Sequence, residues 1–496
     1  MKILMRANLK LQAGAVFLFT NSVMQNQKLA QQIVYIRSLF YFSLSQLVYM
    51  KQLMALLSII VVLFAISSCH HKSDNNYQKI FNNPLLYSKT VKKLNDVVME
   101  NNFSPMIASR NYTYACIAAY EAMVAGNNNY ASLSGQIKHI PSMPVPEVGK
   151  KIDFSLAALL AFTKVGNAVT FPEGSMMGYY DDLKKMADSV GMPSATLLNT
   201  IAFSDSIVSN ILAWSKKDNY AQTRSAERYT VLHDAEGRWI PTPPMYTTAV
   251  EPHWKEIRTM VLDSASQFMP TPPPGYDVKN KNSSFYKAMM EVKKIGENLS
   301  DEQRHIAEFW DDNPFAMHVS GHVMFAKKKF SPPGHWMNLV GIGAQLAKAD
   351  FNTTVAAYAN TAIALFDAFI SCWDEKYRSN YVRPETAINK IFTNENWQPY
   401  IQTPPFPSYT SGHATTSAAA AEIMTKWFGD NLAFTDTSLL EFGIKSRQLA
   451  SFRAAAQEAA MSRLYGGIHY RFDNVNGAIA GKKLGEFIVL RLNLKK

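Results

Sequence analysis

Three short stretches in the C-terminal half of the chain carry side chains suited to gripping an anion and moving a proton: Lys376 with Arg383-Pro384, the triplet Ser411-Gly412-His413, and Ser462-Arg463 with His469 and Asp473. The triplet interrupts a Pro-rich run, Pro404-Pro405-Phe406-Pro407-Ser408-Tyr409-Thr410, and opens an Ala-rich segment over 414–428 that reads as a helix. A helix that begins just after serine and glycine offers free backbone N–H groups and a positive dipole end to an anion. His413 would stand beside that anion. Taken alone, Ser411 could equally cap a buried helix. An isolated lysine or arginine is usually a solvated surface group, and a lone histidine is more often structural. The sharper reading comes from the order of the set: KxxxxxxRP, then SGH, then SRxxxxxHxxxD.

These residues need a scaffold, and the pattern for it is helical. Apolar and small residues recur at helical spacing over 109–125, 153–165, 177–190 and 194–214, then over 283–295, 301–309, 336–349 and 438–460. The segment 353–373 is apolar nearly all round, as expected of a central bundle helix. Between 217 and 280 the pattern breaks into Pro-rich coil, with Trp239-Ile240-Pro241-Thr242-Pro243-Pro244 and Pro270-Thr271-Pro272-Pro273-Pro274-Gly275. No alternating strand run of any length and no repeat is visible. The expected fold class is all-α, a two-part helical bundle with Pro-rich loops. Its N-terminal helical region spans 96–216, a connecting region 217–280, and a C-terminal helical domain bearing the site 281–496.

Hydrophobic residues make up 47% and charged residues 18%, which is globular composition with a sizeable core. The formal net charge is +11, but residues 1–69 hold six Lys or Arg and no Asp or Glu, so the rest balances at +5. The remaining basic residues form no stripe, which argues against nucleic acid as a partner. Cys69, Cys116 and Cys372 lie too far apart for a CxxC motif. One Cys116–Cys372 bridge and two buried free thiols both stay open, the thiols being favoured.

The ordered set resembles the signature shared by the vanadium-dependent haloperoxidases and the type 2 phosphatidic acid phosphatases, the PAP2 superfamily. The motif-bearing match covers 373–473. A looser resemblance to bacterial haloperoxidase-like proteins, through Glu308-Phe309-Trp310-Asp311-Asp312 and Pro332-Pro333-Gly334-His335-Trp336, extends it back to about residue 109. The resemblance implies a haloperoxidase-like fold with one pocket for phosphate or vanadate. Lys376, Arg383 and Arg463 would supply charge, and Ser411 and the Gly412 N–H neutral donors. It makes His469 the axial group, a vanadium ligand in a haloperoxidase or the nucleophile in a phosphatase. His413 becomes the acid–base residue on the opposite side. Asp473 lies four residues after His469, so in a helix its carboxylate can set the imidazole tautomer, the plainer reading being a surface pair. Asp312 is expected to pair with one of the arginines. Trp373 and Phe406 stand where aromatics border the halide site, in a pattern closer to chloroperoxidases than to bromoperoxidases, although both could be packing residues. Thr410 replaces the proline that usually precedes SGH; it is expected to hold an extended backbone and to bring a hydroxyl near the anion.

The first functional expectation is a vanadate-dependent haloperoxidase that oxidises halide with hydrogen peroxide. The alternative is an acid phosphatase working on phosphomonoesters through a phosphohistidine at His469, with no cofactor. A third reading, a non-catalytic oxyanion-binding lipoprotein, fits less well, because binding alone would not require both histidines. Membrane phosphatases need several spans around the motifs, and no run after residue 69 reads as one.

At the start of the chain, residues 50–69 have the layout of a bacterial lipoprotein signal, and Ile66-Ser67-Ser68-Cys69 resembles a lipobox. The resemblance implies lipidation of Cys69 and a cell-envelope location facing the periplasm or exterior. The apolar run over 53–66 is short for a membrane anchor, since roughly 20 residues are needed to span a bilayer. Residues 1–49 then read as an over-extended start before Met50, and 70–95 as a polar tether.

Overall fold

The computed structural model describes residues 76–170, 176–313, 317–320, 323–326 and 328–496, with a few helical positions among residues 31–55. Ser73–Lys496 form a single compact unit. Cys69 lies outside the described residues, as does the signal-like segment 50–69 apart from positions 50, 51, 54 and 55.

The helices begin where the sequence supplies caps. Asn83 accepts the Leu85 N–H and Pro84 opens α1 (Pro84–Glu100); Ser104 accepts the Ile107 N–H ahead of Pro105, the first residue of α2 (Pro105–Val124). Asp153 caps α3 (Phe154–Val169), which is followed by α4 (Met177–Ser189) and α5 (Ser194–Ser215). After the Pro-rich connection come α6 (Ser284–Glu297) and α7 (Asp301–Phe309), the latter started by a reciprocal capping box between Ser300 and Gln303. Next are α8 (Pro332–Leu346), α9 (Phe351–Ser379) and the short α10 (Pro384–Ile391). The last three are α11 (Gly412–Phe428), α12 (Phe452–Tyr465) and α13 (Arg471–Arg491).

Helix α9 is the axis of the body. Nearly all of its side chains are buried, and it packs against α2, α8 and α11. By length and composition it is apolar enough to cross a membrane, which the sequence reading did not anticipate, but its apolar window is 100% buried within the protein. Buried Asp367 on α9 accepts the N–H groups of Met260, Val261 and Leu262 at 2.6, 2.7 and 3.1 Å. Trp239 N–H likewise donates to Asn380 O, and Val250 N–H to Pro405 O. The Pro-rich connection is thus stitched onto the C-terminal helices along its length.

Helices α11 and α13 approach unusually closely, because Gly477, Gly481 and Gly485 face α11. A Cβ on Gly481 would lie 2.0 Å from Thr415 O, and one on Gly485 2.8 Å from Ala419 O. No larger residue fits there without moving backbone.

Two expectations need correction. The stretch 70–95 is not simply a tether: a helical turn (Asn76–Phe81) and α1 occupy its end, with Tyr87, Val91 and Leu94 buried in the core. Nor is 438–460 one helix. Phe434–Asp436 and Arg447–Leu449 pair antiparallel as a hairpin, Gly443 takes the left-handed conformation (φ 75°), and α12 starts only at Phe452, where Ser451 accepts the Ala454 N–H. A second short hairpin, Met317–Ser320 with Val323–Ala326, was equally invisible as an alternating run. The class is nonetheless all-α. Cys116 and Cys372 are buried free thiols.

Candidate active site

The start of α11 forms one wall of a pocket. Ser411 is its N-cap and accepts the Ala414 N–H at 3.4 Å, while its own N–H donates to Asp473 O at 3.1 Å. Capping and anion binding are therefore compatible at this helix start, because the amides of Gly412 and His413 make no backbone bond among the described residues. Gly412 lies against the Trp373 ring, where a Cβ would meet it at an ordinary 3.6 Å.

Pocket walls come from Gly412, His413, Arg463, His469, Trp373 and Phe406, with Asp311, Asp312, Asn313 and Gln402 toward one side. About 40 Å³ is open to the centre of a water-sized sphere, against roughly 10–15 Å³ for a single water. That is room for a small oxyanion.

His469 sits one residue ahead of the Tyr470 cap of α13, so its reach to Asp473 spans a helix start rather than a helical turn. Its Nδ1–H donates to Asp473 Oδ2 at 2.8 Å, which leaves the Nε2 lone pair facing Arg383 Nη1 at 3.1 Å. Ser408 Oγ donates to the same carboxylate oxygen at 2.6 Å. Burial, with the Arg383 charge next in weight, holds His469 well below the ordinary histidine range, so the imidazole is neutral and a ligand or nucleophile.

His413 is half-buried, yet its Nε2 is shielded and has no hydrogen-bond partner among the described residues, while the Trp310 backbone carbonyl lies beside the ring. Burial and then Arg463 depress it strongly as well. A neutral His413 with its proton on Nδ1, toward that carbonyl, would keep the unpartnered Nε2 as an acceptor, the state required of a general base.

The three basic residues do not act alike. Arg463 donates through Nε to Ser462 Oγ (3.0 Å) and through Nη2 to Trp310 O and Ala307 O, and it lines the pocket. Lys376 lies behind the wall and spends its three protons on the carbonyls of Pro407 (2.9 Å), Ser408 (3.0 Å) and Thr410. Arg383 bonds Phe406 O and Ile468 O in addition to His469. Both therefore brace the Pro404–Thr410 loop and contribute charge through it. Burial lowers Lys376, but three acceptor carbonyls around one nitrogen call for the ammonium form.

Three further residues differ from expectation. Asp312 is bonded to His335, with both carboxylate oxygens 3.0–3.1 Å from Nδ1, rather than to an arginine. Thr410 Oγ1 turns to Cys372 Sγ and Thr415 Oγ1, away from the pocket, across a cis Tyr409–Thr410 peptide. Trp373 donates its indole N–H to Val250 O at 3.2 Å and packs on Phe406 with ring centroids 5.0 Å apart, so the aromatic pair offers ring surface and no donor. Ser408 and His335 were missed. Ser408 gave no signal in the sequence, whereas His335 stood in a quoted stretch without a role.

The family model for the second helical-bundle domain of the vanadium chloroperoxidases (VCPO) matches residues 356–494. A vanadium chloroperoxidase from Curvularia inaequalis is 24% identical over 26% of this chain, so the match spans only 30% of that protein's length. A bacterial vanadium-dependent chloroperoxidase in its holo form shares the fold, at a TM-score of 0.58 and 18% identity over 78% of this chain and 93% of its own. The crystal structure described as the first bacterial vanadium-dependent iodoperoxidase superposes with a TM-score of 0.78 and 40% identity, over 84% of this chain and 98% of its own. With that degree of identity over nearly the whole of a relative, the chain belongs to the vanadium-dependent haloperoxidase family.

Proposed function

We propose that the protein is a vanadate-dependent haloperoxidase that uses hydrogen peroxide to oxidise halide, with iodide preferred. The observation that carries the reading is a single cavity in which two neutral histidines present acceptor nitrogens beside Arg463 and the start of α11. That donor set fits an oxyanion that a histidine nitrogen would hold. His469 Nε2 would hold vanadium, with Arg463, the Gly412 and His413 amides and the Ser411 hydroxyl on its oxygens. When bound, vanadate supplies the Lewis acidity that activates peroxide.

The chain's own residues do the rest. Asp473 fixes the His469 tautomer and Ser408 fixes Asp473. His413 takes a proton from incoming peroxide at Nε2 and returns it to the departing oxygen. Lys376 and Arg383 keep the field positive without competing for the oxygens. A halide against Trp373 and Phe406 meets apolar faces, which suits the large, weakly hydrated iodide. The iodoperoxidase at 40% identity supports the same preference.

Orthovanadate-loaded protein, assayed with peroxide and iodide for triiodide and in parallel with a phosphomonoester without vanadate, tests the reading. Iodide oxidation far above that of free vanadate is expected. Fast phosphate release with iodide oxidation no faster than free vanadate would replace it with the phosphatase. The lipobox-like Ile66-Ser67-Ser68-Cys69 supports a lipid anchor at the cell envelope; palmitate labelling that survives Cys69→Ala would remove that proposal.

A further inference from the structure

Beside the pocket, reached through its Asp312 wall, lies a second polar cluster that the proposed reaction does not use. His335 on α8 is fully buried, with Nδ1 against Asp312 and Nε2 2.7 Å from Asp436 Oδ2. A carboxylate only accepts, so both ring nitrogens carry a proton and the ring is an imidazolium. Burial opposes this, but the two carboxylates outweigh it and raise His335 to about 10.

The flat face of this cation stacks on the Trp310 indole, with centroids 4.8 Å apart and planes inclined 26°. The other side of the indole system is also fixed: Trp310 Nε1 donates to Glu458 Oε1 at 2.9 Å, and Glu458 is itself forked by Arg447. The His335 stack and the Glu458 bond together hold the Trp310 ring, which also packs on Trp336. The Trp310 backbone carbonyl accepts from Arg463 Nη2 and lies beside the His413 ring, so it borders two pocket groups at once.

We propose that His335, clamped between Asp312 and Asp436, is a positioning residue for the oxyanion site: it seats Trp310, and Trp310 aims Arg463 and His413. The proposal rests on the pocket being the anion site, and it assigns a task to residues on α8 and the Phe434–Asp436 strand that never touch the anion. The line of contact runs through Arg463 and His413. It does not run through Arg383, which is held by the loop carbonyls on the other wall.

A double-mutant cycle separates this from general support of the fold. The dissociation constants of orthovanadate and of inorganic phosphate are measured for the full chain and for His335→Gln, alone and combined with Arg463→Lys or Arg383→Lys. Loss of an outer-shell partner typically costs 10–100-fold in affinity, and about 10-fold is expected for His335→Gln. Combined with Arg463→Lys the further loss should fall to about twofold or less; combined with Arg383→Lys it should stay near 10-fold. Equal losses in both backgrounds, or none in the wild-type background, overturn the proposal. Should His335→Gln fail to fold, Asp436→Asn keeps the imidazole and removes one side of the clamp, and the same unequal pattern is required of it. Phosphate keeps the cycle readable if orthovanadate does not bind, a result that would sink the haloperoxidase reading separately.

Discussion

Replacing Gly481 with alanine should cripple the site from a distance. The added methyl would lie 2.0 Å from Thr415 O, 2.8 Å from Thr415 C and 2.9 Å from Thr415 Cα, all backbone atoms of α11. Carbon and carbonyl oxygen settle at about 3.3–3.6 Å, so α11 and α13 must part by roughly 1.3 Å at that point. The separation falls between the two halves of the pocket, because Ser411-Gly412-His413 open α11 while His469 and Asp473 open α13, joined there by Ser411 N–H to Asp473 O. Overpacking of this kind costs about 1–3 kcal/mol, and a shift of about 1 Å in a reacting group can cost about 100-fold in rate. Thermal unfolding, orthovanadate titration and iodide oxidation report the two effects. Gly178→Ala on α4, where a methyl meets nothing within 4 Å, is the control, and it should be neutral or stabilising by up to about 1 kcal/mol. Wild-type vanadate affinity and midpoint in Gly481→Ala would refute the claim that the glycine contact sets the pocket.

Asp473→Asn should weaken orthovanadate binding by about 10–100-fold, as expected when the group orienting a metal-binding histidine is neutralised, and equilibrium titration checks it. His335 makes stability pH-dependent. Its folded value of about 10 lies above the ordinary 6.5, so the stabilisation is full below pH 6.5 and is lost as pH rises through 10. The thermal midpoint should therefore fall across that window, and Asp436→Asn should flatten the fall. Asp218 is buried and bonded to Arg110 Nε at 2.7 Å and Tyr114 OH at 2.8 Å; Asp218→Ala strands the buried guanidinium and should cost about 3–5 kcal/mol in denaturant unfolding.

What the sequence made legible follows from how each signal arises. The motif residues converge because the end of α9, the start of α11 and the junction of α12 with α13 each carry one motif beside the same cavity, and caps such as Ser411 and Asp350 mark helix starts locally. Helix α1 was legible but overlooked: Tyr87, Val91, Leu94 and Val98 recur every three or four residues within a polar stretch. The His335–Asp436 bond joins residues 101 positions apart, and the three carbonyls around Lys376 depend on the path of the Pro-rich loop. No local pattern encodes either. The hairpin over 434–449 was hidden because each of its strands is only three residues long.

The carboxylate of Asp367 bears on what could be cut away. It is sealed at the centre of α9, and among the described residues its hydrogen bonds come from the amides of Met260, Val261 and Leu262 in the Pro-rich connection. A shortened gene starting at residue 281 would retain every pocket residue from Asp311 onward and would look self-sufficient by motif content. Its polypeptide would instead carry an orphaned anion in its middle and lose the cover that Trp254 places over Phe366. Modular borders suggested by composition are therefore poor guides for trimming this chain; the coil belongs to the same compact unit as the helices it joins.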